Sequence, residues 1–176
     1  VIYTMVIIIK KVADKKDLKA FIRFNYELYK NNPYAVPDLY DDMLNTFSPK
    51  KNAAFEFCES DYFLAYQDGK LVGRVAAIIN HRANETWNKK EVRFGWIDFI
   101  DNPEVSKALL QEVERWGKSK GMTEIVGPLG FTDMDAEGML IVEFLGSDDL
   151  DPIDGERSFE LVNFSIEYYR NPYNIV

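Results

Sequence analysis

The dipeptide Asp68-Gly69, set between the apolar runs Tyr62 to Tyr66 and Leu71 to Ile79, constrains this chain more than any other feature. A tight type I′ turn needs positive φ at both central residues, and Asp followed by Gly meets that demand at little cost. The sequence therefore predicts an antiparallel hairpin, and the rest of the chain must cover a sheet. Gly73, inside the second run, marks a bulge or a close approach of backbone. Val92 to Ile100 is nearly all apolar and predicts a central strand covered on both faces. Met5 to Val12 is β-branched and unbroken, which predicts a buried first strand.

The covering elements are helical. Asp14 offers an N-cap, with Asp17 in the capping-box place three residues on. Leu18, Phe21, Ile22, Asn25, Leu28 and Tyr29 follow at helical spacing, so residues 15 to 29 read as an amphipathic helix stopped by Asn31-Asn32-Pro33. Pro37-Asp38 opens a shorter helix that Ser48-Pro49 ends, and residues 50 to 58 read as a loop whose Phe55 and Phe57 lie over the core. The polar stretch 80 to 90 reads as a second turn or loop. Asn102-Pro103 is a standard helix start, Val105, Ala108, Leu109, Val113 and Trp116 form its buried stripe, and Gly121 stops it. Glu124 to Val126 is the next strand. The predicted fold class is α/β (α+β): a mixed, largely antiparallel sheet with helices on both faces.

Charge and composition exclude several functions. The formal net charge of −8, with no Lys/Arg stripe interleaved with aromatics, argues against a nucleic-acid partner. Cys58 is the sole cysteine, so an internal disulfide and a Cys-built zinc site are both excluded. Its simplest reading is a small half-buried hydrophobe. The apolar run Val6 to Ile9 is too short for a membrane span or a signal h-region. These features predict a cytoplasmic protein with no transmembrane segment and no metal. Hydrophobic residues at 47% and charged residues at 28% place the chain among globular proteins rather than disordered ones.

The order strand, two helices, hairpin, strand, helix, strand resembles the GNAT-type N-acetyltransferase fold. Sharper signals are Asn32-Pro33 through Val36-Pro37, Pro49-Lys50-Lys51-Asn52, Phe63-Leu64-Ala65-Tyr66, and the stretch Asp68 to Ile78. Asn80-His81 with Asn84, and Gly127-Pro128 with Asp133 to Leu140, complete the set. Together they resemble GNAT-like proteins of the bacterial ceramide synthase-like group over about residues 5–141. Beyond Ile141 the match fades, which predicts the N-terminal half of a longer family pattern at 5–141 and a divergent tail at 142–176. A sheet left short of strands would carry an exposed edge and favour a homo-oligomer. The resemblance implies an acyl-CoA-dependent N-acyltransferase. The acyl group of acetyl-CoA, or of a longer acyl-CoA, would pass to a small-molecule or lipid-like amine such as a sphingoid base.

Such a site needs an anion site for the CoA pyrophosphate, an exposed strand edge for the pantetheine, and a base for the attacking ammonium. Cofactor binding falls on Phe99, Ile100, Asp101, Ser106 and Lys107, at the strand end and the helix start that follows it. The glycine-rich loop that the resemblance leads one to expect is absent, Asp101 and Glu104 bring negative charge, and Pro103 removes a donor. These acids equally well serve only to complement the helix dipole. Asp98 alternates with Phe94, Trp96 and Ile100 on one face. As a carboxylate in apolar surroundings it is a candidate base, and otherwise a strand-end acid bonded to nearby backbone amides. His81, the sole histidine, is a second candidate base or else a solvated turn residue. Asn80, Asn84, Trp96 and Asp133 are candidate substrate contacts. Trp96 is equally a core residue, and Asp133 with Asp135 and Glu137 equally a solvated acidic turn. Tyr34, Tyr40, Phe47, Phe55 and Phe57 either line an apolar groove or simply pack. The alternative to an enzyme is a catalytically silent GNAT-like module that binds a ligand or a protein. Its support is the acidic helix start and the fading match.

Overall fold

A computed structural model of the chain describes residues 6–33, 35–132 and 134–135. The predicted tail at 142–176 and the residues Tyr34, Asp133 and Glu137 lie outside the described residues.

Five strands run in sequence order across one sheet. They are β1 (Ile7–Lys11), β2 (Cys58–Gln67), β3 (Lys70–Asn80), β4 (Glu91–Phe99) and β5 (Glu124–Val126). Each neighbouring pair from β1 to β4 is antiparallel, and β4 with β5 is parallel. Four helices accompany them: α1 (Lys15–Leu28), α2 (Tyr40–Thr46), α3 (His81–Trp87) and α4 (Pro103–Ser119), with one 3₁₀ turn at Ala53–Glu56.

The hairpin forms as the turn chemistry requires, with Asp68 at φ 49° and Gly69 at φ 76°. One extra residue in β3, Val72, lies between the pairs Ala65–Gly73 and Tyr66–Leu71, so the bulge falls beside Gly73. Gly73 also meets the second sequence expectation. A Cβ there would lie 2.9 Å from Leu109 Cδ1 and from Val105 Cγ1, so α4 can lie flat on the strand only over a glycine.

Strand periodicity divides the core in two. Val75, Ala77 and Ile79 of β3 point to one face, where α4 presents Val105, Leu109, Leu110 and Val113. Ala76 and Ile78 point to the other, against Phe21 and Ile22 of α1, Phe47 after α2, and Phe131. Helices therefore cover both faces, with α4 on one and α1 on the other. Truncating a fully buried α4 residue such as Leu109 costs about 2–5 kcal/mol in proteins of this kind.

Three elements differ from the sequence reading. β1 is not buried but an edge strand: Ile7 and Ile9 pack toward α4 while Ile8 stays 62% exposed. An unbroken β-branched run cannot distinguish these cases, because only the sheet order says which strand lies outermost. The stretch expected to be a loop at 80 to 90 contains α3. Asn80 caps it by accepting from the Ala83 amide at 2.9 Å, and Asn88 ends it in the left-handed region. The central strand of the sheet is β3, and β4 lies one place further out. At the start of α1 Asp14 accepts from the Asp17 amide as expected. The Asp17 carboxylate reaches past the cap to the Ala13 amide (3.2 Å) and to Lys10 Nζ (2.6 Å).

Candidate active site

β4 changes face halfway along. Phe94 and Ile97 both join the α4-side core, three residues apart instead of two, while Trp96 joins the α1-side core. The register with β3 slips by one between Arg74–Asp98 and Ala76–Gly95, and Trp96 takes φ 45°. This is a bulge. A bulky residue in the left-handed region costs about 1–2 kcal/mol, and such strain clusters at functional sites. Phe94 therefore leaves the face that the sequence reading shared among Phe94, Trp96, Asp98 and Ile100. Ile100 packs with the α4-side core, and only Trp96 and Asp98 remain together on the α1 face.

Past Val126 the chain leaves the sheet through a cis Gly127–Pro128 peptide. β5 pairs with β4 only at residues 91–93, and Leu129 adds one amide bond to the Phe94 carbonyl (2.8 Å). Gly95 permits this crossing, because a Cβ there would collide with the Leu129 carbonyl oxygen. Among the described residues no strand pairs with the outer edge of Gly95 to Phe99. Ile100 donates to the Val72 carbonyl at 2.9 Å. By the alternation of an antiparallel ladder the main chain of Asp98 then faces β3, and that of Ile97 and Phe99 faces the open edge.

On the α1 face of this open stretch stands a buried ion pair. Arg74, with 4% of its side chain exposed, donates to Asp98 Oδ2 from Nε (2.7 Å) and from its second terminal nitrogen (2.6 Å). Its remaining terminal nitrogen donates to the Phe21 carbonyl of α1 at 2.9 Å, and the guanidinium lies 5.1 Å from the centre of the Phe21 ring. Asn25 Nδ2 also donates to Oδ2 (3.2 Å), and the Tyr29 hydroxyl donates to Oδ1 (3.1 Å). Burial, reinforced by the Asp98 carboxylate, pushes the Tyr29 phenol up to about 12. The apolar surroundings expected of Asp98 are therefore replaced by a guanidinium, an amide and a phenol. Arg74, Asn25 and Tyr29 escape the sequence reading, although one signal was present. A lone arginine inside the apolar run Val72 to Ile79 has to find a counter-charge once that strand is buried.

The other candidates are placed as follows. His81 opens α3, is 57% exposed at its side chain, and stands 3.7 Å from Glu59. It follows Asn80, which lies six residues beyond the Arg74–Asp98 pairing on β3, so it is roughly 20 Å from Asp98 along the strand. The structure does not bring the two candidate bases together. Asn80 is buried, donating to the Phe131 carbonyl (3.0 Å) while it caps α3. Asn84 clamps α3 to β4 through both the carbonyl and the amide of Glu91 (2.9 and 3.3 Å). Both asparagines hold the chain together at the His81 end. Trp96 stands between Phe47 (ring centres 5.0 Å apart) and Phe131 (5.5 Å), half-buried at the bulge. Tyr40, Phe47, Phe55 and Phe57 all pack into the α1-side core.

At the start of α4, Asn102 Oδ1 accepts from the Glu104 amide (3.1 Å) and the Asn102 carbonyl accepts from the Val105 amide (3.0 Å). The Ser106 hydroxyl is buried and donates back to the Pro103 carbonyl (2.9 Å). Asp101 and Lys107 are exposed, and Phe99 and Ile100 pack against the α4-side core. Two amides of this helix start are thus already bonded to Asn102. Cys58 is buried with its thiol pushed up to about 11, chiefly by burial, which matches the small-hydrophobe reading. No helix among the described residues is long and apolar enough to cross a membrane.

The mixed, largely antiparallel sheet with helices on both faces matches the fold of GNAT acetyltransferases. A tandem GNAT protein from the clavulanic acid biosynthesis pathway superposes with a TM-score of 0.53 at 12% identity, over 68% of this chain and 35% of that one. The aminoglycoside acetyltransferase AAC(6')-Iy, in complex with a CoA-based bisubstrate analogue, gives 0.50 at 18% identity, over 80% of this chain and 99% of that one. At these identities the likeness is one of fold.

Sequence similarity narrows the group. The chain is 34% identical over 137 residues to Protein YghO of Escherichia coli (strain K12), covering 78% of this chain. It is 31% identical over 134 residues to the bacterial ceramide synthase of Caulobacter vibrioides, covering 76% of this chain. The chain spans 35% of the length of each of these curated relatives. No family model matches it. It is a GNAT-like protein related in sequence to bacterial ceramide synthase.

Proposed function

We propose that the described region is the donor-binding part of an acyl-CoA-dependent N-acyltransferase whose acceptor is an amine, a sphingoid base or another lipid-like amine. The observation that carries this reading is the open outer edge of Gly95 to Phe99, beside the strained Trp96 bulge. Similarity to a bacterial ceramide synthase over 134 residues supports the amine class. A strand edge with free amides and carbonyls is a template for an extended ligand that carries amides of its own, as the pantetheine arm does. Ile97 and Phe99 would offer those main-chain groups, and the exposed Lys107 would supply positive charge nearby. An acyl thioester supplies an electrophilic carbonyl carbon. Once the ammonium has lost its proton, the amine nitrogen bonds to that carbon, the C–S bond breaks to release CoA as thiolate, and the second proton shed by the nitrogen neutralises that thiolate. Asp98 is the carboxylate on the stretch Gly95 to Phe99, and His81 stands outside this reading.

A second reading, a catalytically silent ligand- or partner-binding module, draws on the self-capped, acidic start of α4. Thermal unfolding with and without CoA and palmitoyl-CoA separates the two. Ligand at 100 times its dissociation constant stabilises by about 2.7 kcal/mol, and each kcal/mol is worth roughly 2–4 °C for a chain of this size. A rise of several degrees supports the transferase. A cooperative melt that neither ligand moves supports the silent module.

A further inference from the structure

We infer that Tyr29 is a positioning residue for the amine acceptor and that Asp98, held by Arg74, is the mount that aims it rather than the proton acceptor of the reaction. The inference deepens the transferase reading and rests on it.

The bonding of Asp98 carries the argument. Each carboxylate oxygen has about two lone-pair sites. Oδ2 already accepts from Arg74 Nε, a second Arg74 nitrogen and Asn25 Nδ2, so it has no room for another donor. Oδ1 accepts from the Tyr29 hydroxyl. Arg74 is itself held in place, tied to the Phe21 carbonyl and covered by the Phe21 ring, so the carboxylate it grips is fixed in orientation. Among the described residues the side chains bonded to Asp98 are Arg74 from β3, Asn25 from α1 and Tyr29 at the C-cap of α1.

Tyr29 is the end of this network that solvent reaches, with 39% of the residue exposed at the close of α1. Its hydroxyl proton is committed to Asp98, so the oxygen's lone pairs remain as acceptors. Such an oxygen suits an N–H donor, which an ammonium or amine is, and it stays neutral well above physiological pH. Its partner Asp98 sits between Ile97 and Phe99, the residues whose main chain faces the open edge. Amine and thioester would therefore meet on the same short stretch of β4.

The test is acyl transfer from palmitoyl-CoA to sphinganine by the full chain, with CoA binding followed separately by calorimetry. The expected result for Tyr29→Phe is CoA affinity unchanged within twofold, an acceptor KM raised about tenfold and kcat reduced less than threefold. For Asp98→Asn the expected result is the same KM defect with the shape of the kcat–pH profile retained. An unchanged acceptor KM in Tyr29→Phe overturns the inference. So does an Asp98→Asn enzyme that keeps its KM but loses the acidic limb of the kcat profile, because that limb marks a proton acceptor. If Asp98→Asn does not fold, Tyr29→Phe decides alone. A wild-type chain that neither binds CoA nor transfers the acyl group sinks the transferase reading and this inference with it. An active wild type with an indifferent Tyr29→Phe sinks the inference only.

Discussion

Replacing Asp98 by Asn leaves the shape of the Arg74–Asp98 site intact and removes one charge. The guanidinium it faced is 4% exposed, so the positive charge would stay buried with only neutral acceptors. Breaking a buried pair in this way costs about 3–5 kcal/mol in well-studied cases, whereas replacing both partners by apolar groups of similar volume is often close to neutral. Three residues in the site are oriented by the pair, since Asn25 and Tyr29 donate to the same carboxylate and Phe21 lies under the guanidinium. At roughly 2–4 °C per kcal/mol, Asp98→Asn should lower the unfolding midpoint by about 6–20 °C. Arg74→Met should cost less, because the stranded Asp98 is 12% exposed and keeps two neutral donors. The double variant Arg74→Met/Asp98→Asn should lose clearly less than the sum of the two single losses, giving a coupling energy of at least about 2 kcal/mol in a double-mutant cycle. Urea unfolding of the four proteins measures each term. Additive single losses, or an Asp98→Asn loss below about 1 kcal/mol, would refute the claim that the pair is a coupled, desolvated unit.

Gly95→Ala should destabilise by more than the ordinary surface substitution, about 2 kcal/mol or more, because its Cβ meets the main chain of Leu129 and not a movable side chain. Urea unfolding checks this, and a neutral result would mean that the 127–131 crossing is free to shift. Cys58 should resist iodoacetamide at neutral pH until the protein unfolds, being buried with its thiol held at about 11 by that burial. Labelling followed by mass spectrometry along a urea series tests it, and rapid native labelling would contradict the packing. The phenols of Tyr29 and Tyr62 are both held at about 12, in each case mainly by burial. The native state binds those protons more tightly than the unfolded chain, whose tyrosines ionise near 10. Stability from these groups is therefore complete below about pH 10 and is lost as pH rises from there toward 12. Alkaline unfolding should be cooperative in that window, and Tyr62→Phe should flatten the decline.

Much of the architecture was legible because it rests on short-range chemistry. Asp68-Gly69 reads as a type I′ turn, Asp14 and Asn102 as caps, and the α4 stripe as a buried face, since each depends on neighbours within a few residues. α3 was missed because its signal, an Asn80 cap on a short polar stretch, is weak without the wall it packs on. In the site, Asp98 and Trp96 were singled out, but the face assignment failed at Phe94. A strict period of two cannot foresee an inserted residue, although Gly95 beside Trp96 was a hint.

The sequence alone determined a largely antiparallel sheet with helices on both faces, the hairpin register and the exclusion of disulfide and cysteine–zinc chemistry, because turn preferences, periodicity and composition are local or additive. Only the tertiary structure decided that among the described residues β1 is an edge and β4 bulges and has no partner past Phe94, that His81 and Asp98 stand far apart, and that Asp98 belongs to Arg74 and Tyr29. Those facts depend on which segments, 24 to 73 residues apart in Arg74–Asp98, Tyr29–Asp98 and Asn25–Asp98, the fold brings within hydrogen-bond reach, and no local pattern records that.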